Sequence, residues 1–111
     1  MTEPLTPEDA KLVTLARASR ARTGAAEGAA VRDLDGRTYA ASTVALESLQ
    51  MAALDLAVAM AVSSGAKGLE GAAVVTDADT VDTAAVRDLA GTGVSVFVAD
   101  ASGAVRSVRE S

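Results

Sequence analysis

The sequence contains no cysteine and no histidine, and each absence excludes a class of chemistry. Without cysteine, the chain can form no disulfide and offers no thiolate for catalysis or for an iron–sulfur cluster. Without histidine, no serine has the imidazole base that activates the nucleophile of a Ser-His pair. The only lysines, Lys11 and Lys67, have no serine motif around them. The residue types present therefore give weak support to enzymatic function of any kind.

Aromatic residues are also scarce, since Tyr39 and Phe97 are the only two. Half of the 111 residues are hydrophobic, with a mean hydropathy of +0.27, and most of these are Ala, Val and Leu. Small side chains let helices and sheets approach closely, but each buries little area, at roughly 0.8 kcal/mol per buried CH₂. The length predicts one domain, residues 1–111, with a core that is tightly packed or extends across subunits.

Basic residues are fewer than acidic ones, so the net charge is −5 and the pI is about 4.5. This balance argues against nucleic-acid binding, which needs a basic face to displace counterions. The longest apolar run, Met51–Val62, is interrupted by Asp55 and is too short to span a membrane. The first residues are acidic and polar and do not have the pattern of a secretion signal. We therefore expect a cytoplasmic protein that binds neither nucleic acid nor membrane.

A helix is predicted near the start of the chain. Thr6 can cap it, Pro7 suits its first turn, and Gly24 can end it. Its last turns carry three arginines, where the helix dipole favours cations. These are Arg17, Arg20 and Arg22. We interpret them as a solvated face, and an anion-binding site is the alternative.

A hairpin is predicted next. The dipeptide Asp35-Gly36 separates two short segments, Gly28–Leu34 and Arg37–Ser42. Asp-Gly between extended segments is typical of a β-hairpin closed by a type I′ turn, because both central residues of that turn need positive φ.

The following 20 residues, Ala45–Ser64, are predicted to form one long helix that stops at Gly65. They are apolar on nearly every side, and a helix without a polar face is buried all round. In so small a domain, one side would lie on the sheet and the other on a second subunit. We therefore expect a homo-oligomer, a dimer or tetramer, formed through this helix. The alternative is a central helix covered by the protein's own loops.

The second half of the chain alternates strand and helix patterns. Gly71–Thr76 and Val94–Ala99 are typical of buried strands, Thr83–Ala90 has a helical period, and Ala104–Val108 is predicted as a last strand. The complete order, α-β-β-α-β-α-β-β, predicts an α/β fold with three α-β-α layers and a mixed sheet of about five strands.

Several blocks of the sequence resemble the cytidine deaminase-like family, in that family's order. Residues 28–37 (GAAVRDLDGR) resemble its "GAAL…DGR" hairpin. Thr43-Val44 before an alanine-rich helix resembles its "NVEN" turn, residues 81–89 resemble "SPCGxCRQVL", and residues 94–108 resemble its closing "strand, DxxG, strand". The resemblance covers nearly the whole chain and implies the same three-layer fold.

In that family a zinc ion and a glutamate carry out the chemistry. One Cys or His and two Cys of a P-C-x-x-C segment hold the zinc, and the Glu moves protons between the metal-bound water and the base. Matched position by position, the first ligand falls on Leu54 and the Glu on Leu56. The proline falls on Asp82, and the two cysteines fall on Thr83 and Val86. The resemblance implies a degenerate member with no zinc, no cofactor and no catalytic residue, whose former metal site has become hydrophobic core.

The substrate positions of the family are changed as well. The Asn and Glu of "NVEN", which hydrogen-bond the ribose, fall on Thr43 and Ala45, and the aromatic residue that stacks on the pyrimidine falls near Ala25. Glu47 lies close to the same turn, and a shifted alignment would give it a binding role. A solvent-facing acid is the alternative.

Carboxylates cluster in the loop before the last predicted helix. Asp77, Asp79 and Asp82 could ligate Mg²⁺ or Ca²⁺ through oxygen atoms, but the loop lacks the glycine and the distal glutamate of an EF-hand. We interpret it as a solvated loop in which Asp82 is the N-cap of the helix that follows.

Three functions are compatible with the resemblance. The favoured one is a non-catalytic relative of cytidine deaminases that acts as an oligomeric interaction or regulatory protein. The alternative is a pseudoenzyme that binds a nucleoside or another small molecule in the former pocket. An active cytidine deaminase is the third, and the missing ligands argue against it.

Overall fold

The computed structural model describes residues 5–111, which form three helices around a central sheet. The helices are α1 (Pro7–Thr23), α2 (Ala53–Ser63) and α3 (Ala84–Ala90). The strands are β1 (Gly28–Asp33), β2 (Thr38–Ser42), β3 (Val44–Ala45), β4 (Gln50–Met51), β5 (Leu69–Val75), β6 (Ser95–Ala99) and β7 (Val105–Glu110). Residues 1–4, part of the polar start discussed above, lie outside the described range.

The main sheet has five strands in the order β2-β1-β5-β6-β7. The β5–β6 pair is parallel and the other pairs are antiparallel, so the sheet is mixed. Helix α1 packs on one face, and α2 and α3 pack on the other. The predicted α/β class with three layers and a mixed five-stranded sheet is confirmed.

The core forms two apolar layers, one on each face of the sheet. Along β5, Ala72 and Val74 belong to the α2–α3 layer, whereas Ala73 and Val75 belong to the α1 layer. Because both faces are covered, this strand is a continuous apolar run. In β1, Gly28 lies so close to α1 that a Cβ atom there would overlap a backbone carbonyl oxygen of the helix.

Helix α1 begins and ends where the sequence predicts. The Thr6 hydroxyl accepts a hydrogen bond from the N–H of Asp9 at 3.1 Å. Gly24 adopts positive φ (66°), and its N–H donates to the carbonyl oxygen of Arg20 at 2.9 Å. Arg17 and Arg22 are exposed, as interpreted. Arg20 is instead largely buried and pairs with Asp77, since its Nη2 lies 3.0 Å from a carboxylate oxygen.

The hairpin of β1 and β2 is confirmed, but its turn is not type I′. The N–H of Gly36 donates to the carbonyl oxygen of Asp33, and the N–H of Asp33 donates to that of Arg37, so the loop has three residues. Gly36 has positive φ (84°) and Asp35 does not, whereas a type I′ turn requires two such residues. The Asp33 carboxylate fixes this wider loop by accepting the N–H groups of Asp35 and Arg37 at 2.9 and 3.0 Å.

The predicted helix Ala45–Ser64 is wrong in its first part, because the helix begins only at Ala53. Residues 44–51 instead form the two-stranded β3–β4 ribbon, in which the N–H of Leu46 donates to the carbonyl oxygen of Leu49 at 2.8 Å. A run of Ala, Leu and Met has no period that distinguishes helix from extended backbone, so composition alone was misleading. Leu46 and Leu49 are exposed at the tip of the ribbon rather than buried on a helix.

The end of this helix agrees with the sequence. Gly65 has positive φ (95°), and its N–H donates to the carbonyl oxygen of Val62 at 3.0 Å. The N–H of Ala66 donates to the carbonyl oxygen of Ala61 at 2.9 Å. This pair of hydrogen bonds is a Schellman motif, which is why a glycine is needed at this position.

The N-terminus of α3 differs by one residue from the prediction. Thr83 occupies the N-cap position, and the Asp82 carboxylate accepts a hydrogen bond from the N–H of Ala84 at 2.9 Å. Asp82 therefore satisfies a free N–H group of the helix without being its N-cap residue. None of the helices between residues 5 and 111 combines the length and the hydropathy that crossing a membrane requires.

Candidate functional site

The positions matched to the zinc ligands and the glutamate lie at the first turns of α2 and α3. Leu54 is 2% exposed and Val86 is fully buried, and both belong to the same core layer. Leu56 packs against this layer from its edge, and Thr83 is half-buried at the N-cap of α3. The structure therefore brings three apolar side chains together where the family resemblance implies a metal.

These residues do not fit a zinc ion. Leucine and valine have no atom that can coordinate a metal, and zinc sites are built from thiolate, imidazole and carboxylate groups. Across residues 5–111, no group of three or more acidic side chains is arranged to hold a metal ion. In the loop interpreted above as solvated, Asp77, Asp79 and Asp82 are all exposed, and within the same range they form no such group.

A polar network that the sequence analysis missed lies beside this apolar cluster. The hydroxyl of Thr76, which is 2% exposed at the end of β5, donates to the carboxylate of Glu27 at 2.8 Å and accepts the N–H of Ala78 at 3.0 Å. Thr43 contacts the backbone of Glu27, since its hydroxyl accepts that N–H at 3.0 Å. Thr43, which the resemblance matches to a ribose-binding residue, therefore ties the start of β1 to the end of β2 through its side chain. The sequence feature that could have indicated this network is Glu27, an acid directly before the apolar block that begins at Gly28.

This network borders an open cavity of about 280 Å³. Its polar walls are formed by Glu27, Thr43 and Thr76, and the ion pair between Arg20 and Asp77 lies at its edge. The cavity thus offers hydroxyl, carboxylate and guanidinium groups to a small polar molecule.

The other candidate substrate positions do not line this cavity. Ala25 is half-buried, and its carbonyl oxygen accepts a hydrogen bond from Nε of Arg20 at 3.4 Å. Ala45 is exposed in β3, and Glu47 is exposed at the tip of the β3–β4 ribbon. The positions that the resemblance matches to substrate contacts are therefore dispersed, and of Ala25, Thr43 and Ala45 only Thr43 lines the cavity.

A second acid, Asp55, lies in the first turn of α2. Burial is the main cause that raises the pKa of Asp55, and the negative charges of Asp82 and Glu27 raise it further. The folded chain therefore disfavours the ionised form of Asp55.

The outer side of α2 is flanked by two grooves. The β2-side groove, about 380 Å³, is lined by Tyr39, Leu56, Ala59, Met60, Ser63 and Ser64, so none of residues 5–111 places a charge in its lining. The α3-side groove, about 450 Å³, is lined by five apolar residues and two acids, which are Val58, Ala59, Val62, Ala85, Leu89, Asp55 and Asp88. Met60 and Val62 are 38% and 52% exposed, so each groove contains one apolar side chain of α2 that residues 5–111 leave partly exposed.

Comparison with known proteins identifies the family. The family model described as cytidine deaminase-like matches residues 5–103. This chain belongs to the cytidine deaminase-like family. No curated protein sequence matches it. Membership in the family agrees with the resemblance of the hairpin, the helix starts and the closing strands.

Two solved cytidine deaminase structures are similar to this cytidine deaminase-like chain. The enzyme from Burkholderia pseudomallei is 22% identical with a TM-score of 0.77, over 95% of this chain and 92% of that one. The enzyme from Mycobacterium leprae is 17% identical with a TM-score of 0.68, over 90% of each chain. At these identities, the similarity concerns the fold.

Proposed function

We propose that this family member is non-catalytic and acts by interaction or regulation, as an assembly with copies of itself. One observation carries the proposal. Leu54 and Val86 are buried in the apolar core at the first turns of α2 and α3, and Leu56 packs against that core from its edge. Metal-assisted deamination needs a bound water and a proton-transferring carboxylate at that place, and these side chains can supply neither.

The packing gives a physical reason for the apolar side chains. If the ligands alone were lost, the hollow would retain polar groups without partners, and burying such groups costs free energy. Leucine and valine instead fill the hollow and remove it from water. The residues at these positions now contribute to folding stability.

Self-association is proposed through the outer side of α2. The β2-side groove presents Tyr39, Leu56 and Met60 without any charged residue. Two copies of a chain with net charge −5 repel each other, so a contact free of charge favours their association. Burial of apolar surface there would contribute about 25 cal/mol per Å².

Sedimentation at several concentrations tests the assembly. The wild-type chain is expected to sediment as a dimer or tetramer, and Met60→Glu is expected to sediment as a monomer, because it places a charge in the contact. Val108→Glu is the matched control, since it adds the same charge to another exposed apolar residue, on β7. A wild-type monomer at every concentration contradicts the proposal.

Two further measurements test the absence of catalysis. We expect no loss of cytidine absorbance above background in an ultraviolet assay, with an authentic deaminase as positive control. We also expect no stoichiometric zinc by elemental analysis after the protein is equilibrated with zinc and dialysed. Measurable deamination or bound zinc in a one-to-one ratio would refute the proposal.

A second candidate function is binding of a small molecule in the polar cavity at Glu27, Thr43 and Thr76. A thermal-shift experiment with cytidine and uridine tests it, because a ligand at a hundred times its Kd stabilises the folded state by about 2.7 kcal/mol. The matched variant is Thr76→Val, which has the same shape but lacks the hydroxyl that contacts Glu27. A shift that occurs in the wild type and is lost in this variant would favour the second candidate.

A further inference from the structure

We propose that the α3-side groove binds an amphipathic helix of a different protein, one whose apolar stripe is flanked by lysine or arginine. This inference rests on the proposed function and names the partner chemistry. Its basis is that apolar residues, among them Val58, Val62 and Leu89, line this groove together with two carboxylates, Asp55 and Asp88.

The shape of the groove suits a helix of two to three turns. It runs between α2, which has 11 residues, and α3, which has 7. At 1.5 Å per residue, α2 provides a wall about 16 Å long. Helices that dock in such grooves insert apolar side chains at positions i, i+3 or i+4, and i+7, and the exposed Val62 is available to contact them.

The charges around the groove determine which partner fits. Asp55 and Asp88 are the only charged residues that line it, and neither takes part in any of the ion pairs formed among residues 5–111. The neighbouring cation, Arg87, does not line the groove. Cations of a partner would therefore meet two unpaired carboxylates, and they would also offset the repulsion between Asp55 and the nearby Asp82.

A second copy of this chain fits the same groove poorly. The second copy carries the same net charge of −5 over the whole chain, and the groove is lined by two acids, so charge repulsion disfavours its association there. The β2-side groove has no charged residue and suits self-association better. The two grooves therefore favour different partners.

A pair of synthetic peptides tests the proposal on the full chain. One peptide is a helix of about 14 residues with leucines at the i, i+3, i+4 and i+7 positions and flanking lysines, and the other has glutamates in place of the lysines. Fluorescence anisotropy measures both affinities. We expect the lysine peptide to bind at least about tenfold more tightly, and its affinity to fall as salt rises.

Variants of the groove identify where the peptide binds. Asp88→Asn and Asp55→Asn are each expected to weaken binding of the lysine peptide about two- to fivefold. Val62→Arg is expected to abolish it, because it removes part of the apolar lining and adds a repelling charge. Asp35→Asn is the matched control, since it removes one carboxylate from a distant turn in which Asn-Gly is equally suitable. Val108→Arg is the control for the added arginine.

Several results would overturn the proposal. These are no binding of the lysine peptide, equal binding of the glutamate peptide, or equal effects of Asp88→Asn and Asp35→Asn. Loss of self-association in Val62→Arg with unchanged peptide binding would assign the groove to a second copy. Sedimentation of the wild type and Met60→Glu tests the proposed function independently, so failure of the peptide experiment alone leaves the assembly proposal intact.

Discussion

The two faces of the sheet differ in how completely the chain covers its own apolar surface. On the α1 face, ion pairs tie the helix to its surroundings: Arg20 to Asp77, and Arg32 to both Asp9 and Glu70. These are all the ion pairs found in the described part of the chain. On the α2–α3 face, the outer side of α2 remains apolar, with Met60 and Val62 exposed.

Both faces use small residues to bring a helix close to the sheet. The α1 face depends on one glycine, Gly28. The α2 face depends on three fully buried alanines spaced four residues apart, Ala53, Ala57 and Ala61. Close packing against the sheet is thus common to both faces, and they differ on their outer sides. Beside the α2–α3 layer, the apolar side chains of Met60 and Val62 on α2 remain partly exposed.

The largest expected effect is a loss of the close packing between α1 and β1. In Gly28→Ala, the new Cβ would overlap the carbonyl oxygen of Ala16, so α1 must move away from β1. We expect a loss of about 4 kcal/mol in the free energy of unfolding, above the usual cost of overpacking. Urea denaturation measures this loss. In the control, Gly71→Ala, the new Cβ would meet only ordinary contacts of 3.4–3.5 Å, so a similar loss in the control would contradict the explanation.

The next largest loss of stability is expected in the core layer between the sheet and the helices α2 and α3. Leu54→Ala would leave a cavity in the core between α2 and the sheet, because this side chain is buried. We expect a loss of about 3 kcal/mol in the free energy of unfolding. The same denaturation experiment measures it. A loss below about 1 kcal/mol would indicate that the former metal position is not well-packed core.

A substitution on the outer side of α2 should change the free energy of unfolding far less. Val62→Ser removes an apolar side chain that is already 52% exposed, so the unfolding free energy of the monomer should change by less than about 0.5 kcal/mol. Thermal denaturation below the association concentration measures this. A large loss of stability in the monomer would show that the chain itself covers this side.

The smallest effect is a difference in pH dependence between two aspartates. The pKa of Asp55 is raised, mainly by burial, so the folded state binds its proton more readily than the unfolded state. Ionised Asp55 therefore destabilises the fold at neutral pH, and the penalty disappears as pH falls through the raised pKa. We expect Asp55→Asn to raise Tm slightly at pH 7 and to lose this gain in acid.

The contribution of Asp33 to stability should depend on pH with the opposite sign. Burial alone would raise the pKa of Asp33, but hydrogen bonds from the Tyr39 hydroxyl and from backbone N–H groups outweigh it and hold the pKa below its ordinary value. Its stabilisation is therefore present at neutral pH and is lost as pH falls through the lowered pKa. Asp33→Asn should lower Tm at pH 7 and have less effect in acid. Parallel pH profiles for the two variants would contradict both assignments.

Local signals predicted much of the fold. The Thr6 cap, the ends at Gly24 and Gly65 and the Asp35-Gly36 hairpin are determined by residues within a few positions of each other, and all four lie where expected. The β3–β4 ribbon was missed because its leucines and alanines are equally compatible with a helix.

The candidate site was less predictable. The contact between Glu27 and Thr76 joins residues 49 positions apart, and no local pattern indicates such a pair. The division of the α2 surface into a charge-free groove and an acid-lined one arises only when α3 and β2 lie on either side of the helix. The sequence resemblance indicates which apolar residues match the metal positions of the family, but their burial in one core layer is seen only in the three-dimensional structure.

The sheet order has a consequence for folding kinetics. Strands β2 and β1 come from the chain before α2, and β5, β6 and β7 come from the chain after it. One antiparallel ladder, from Gly28–Val75 to Asp33–Leu69, joins these two consecutive segments within the sheet. The hairpins on either side are local and can form in about 1–10 μs. The β1–β5 ladder must first close a loop that contains all of α2, so its formation is the step expected to limit the folding rate.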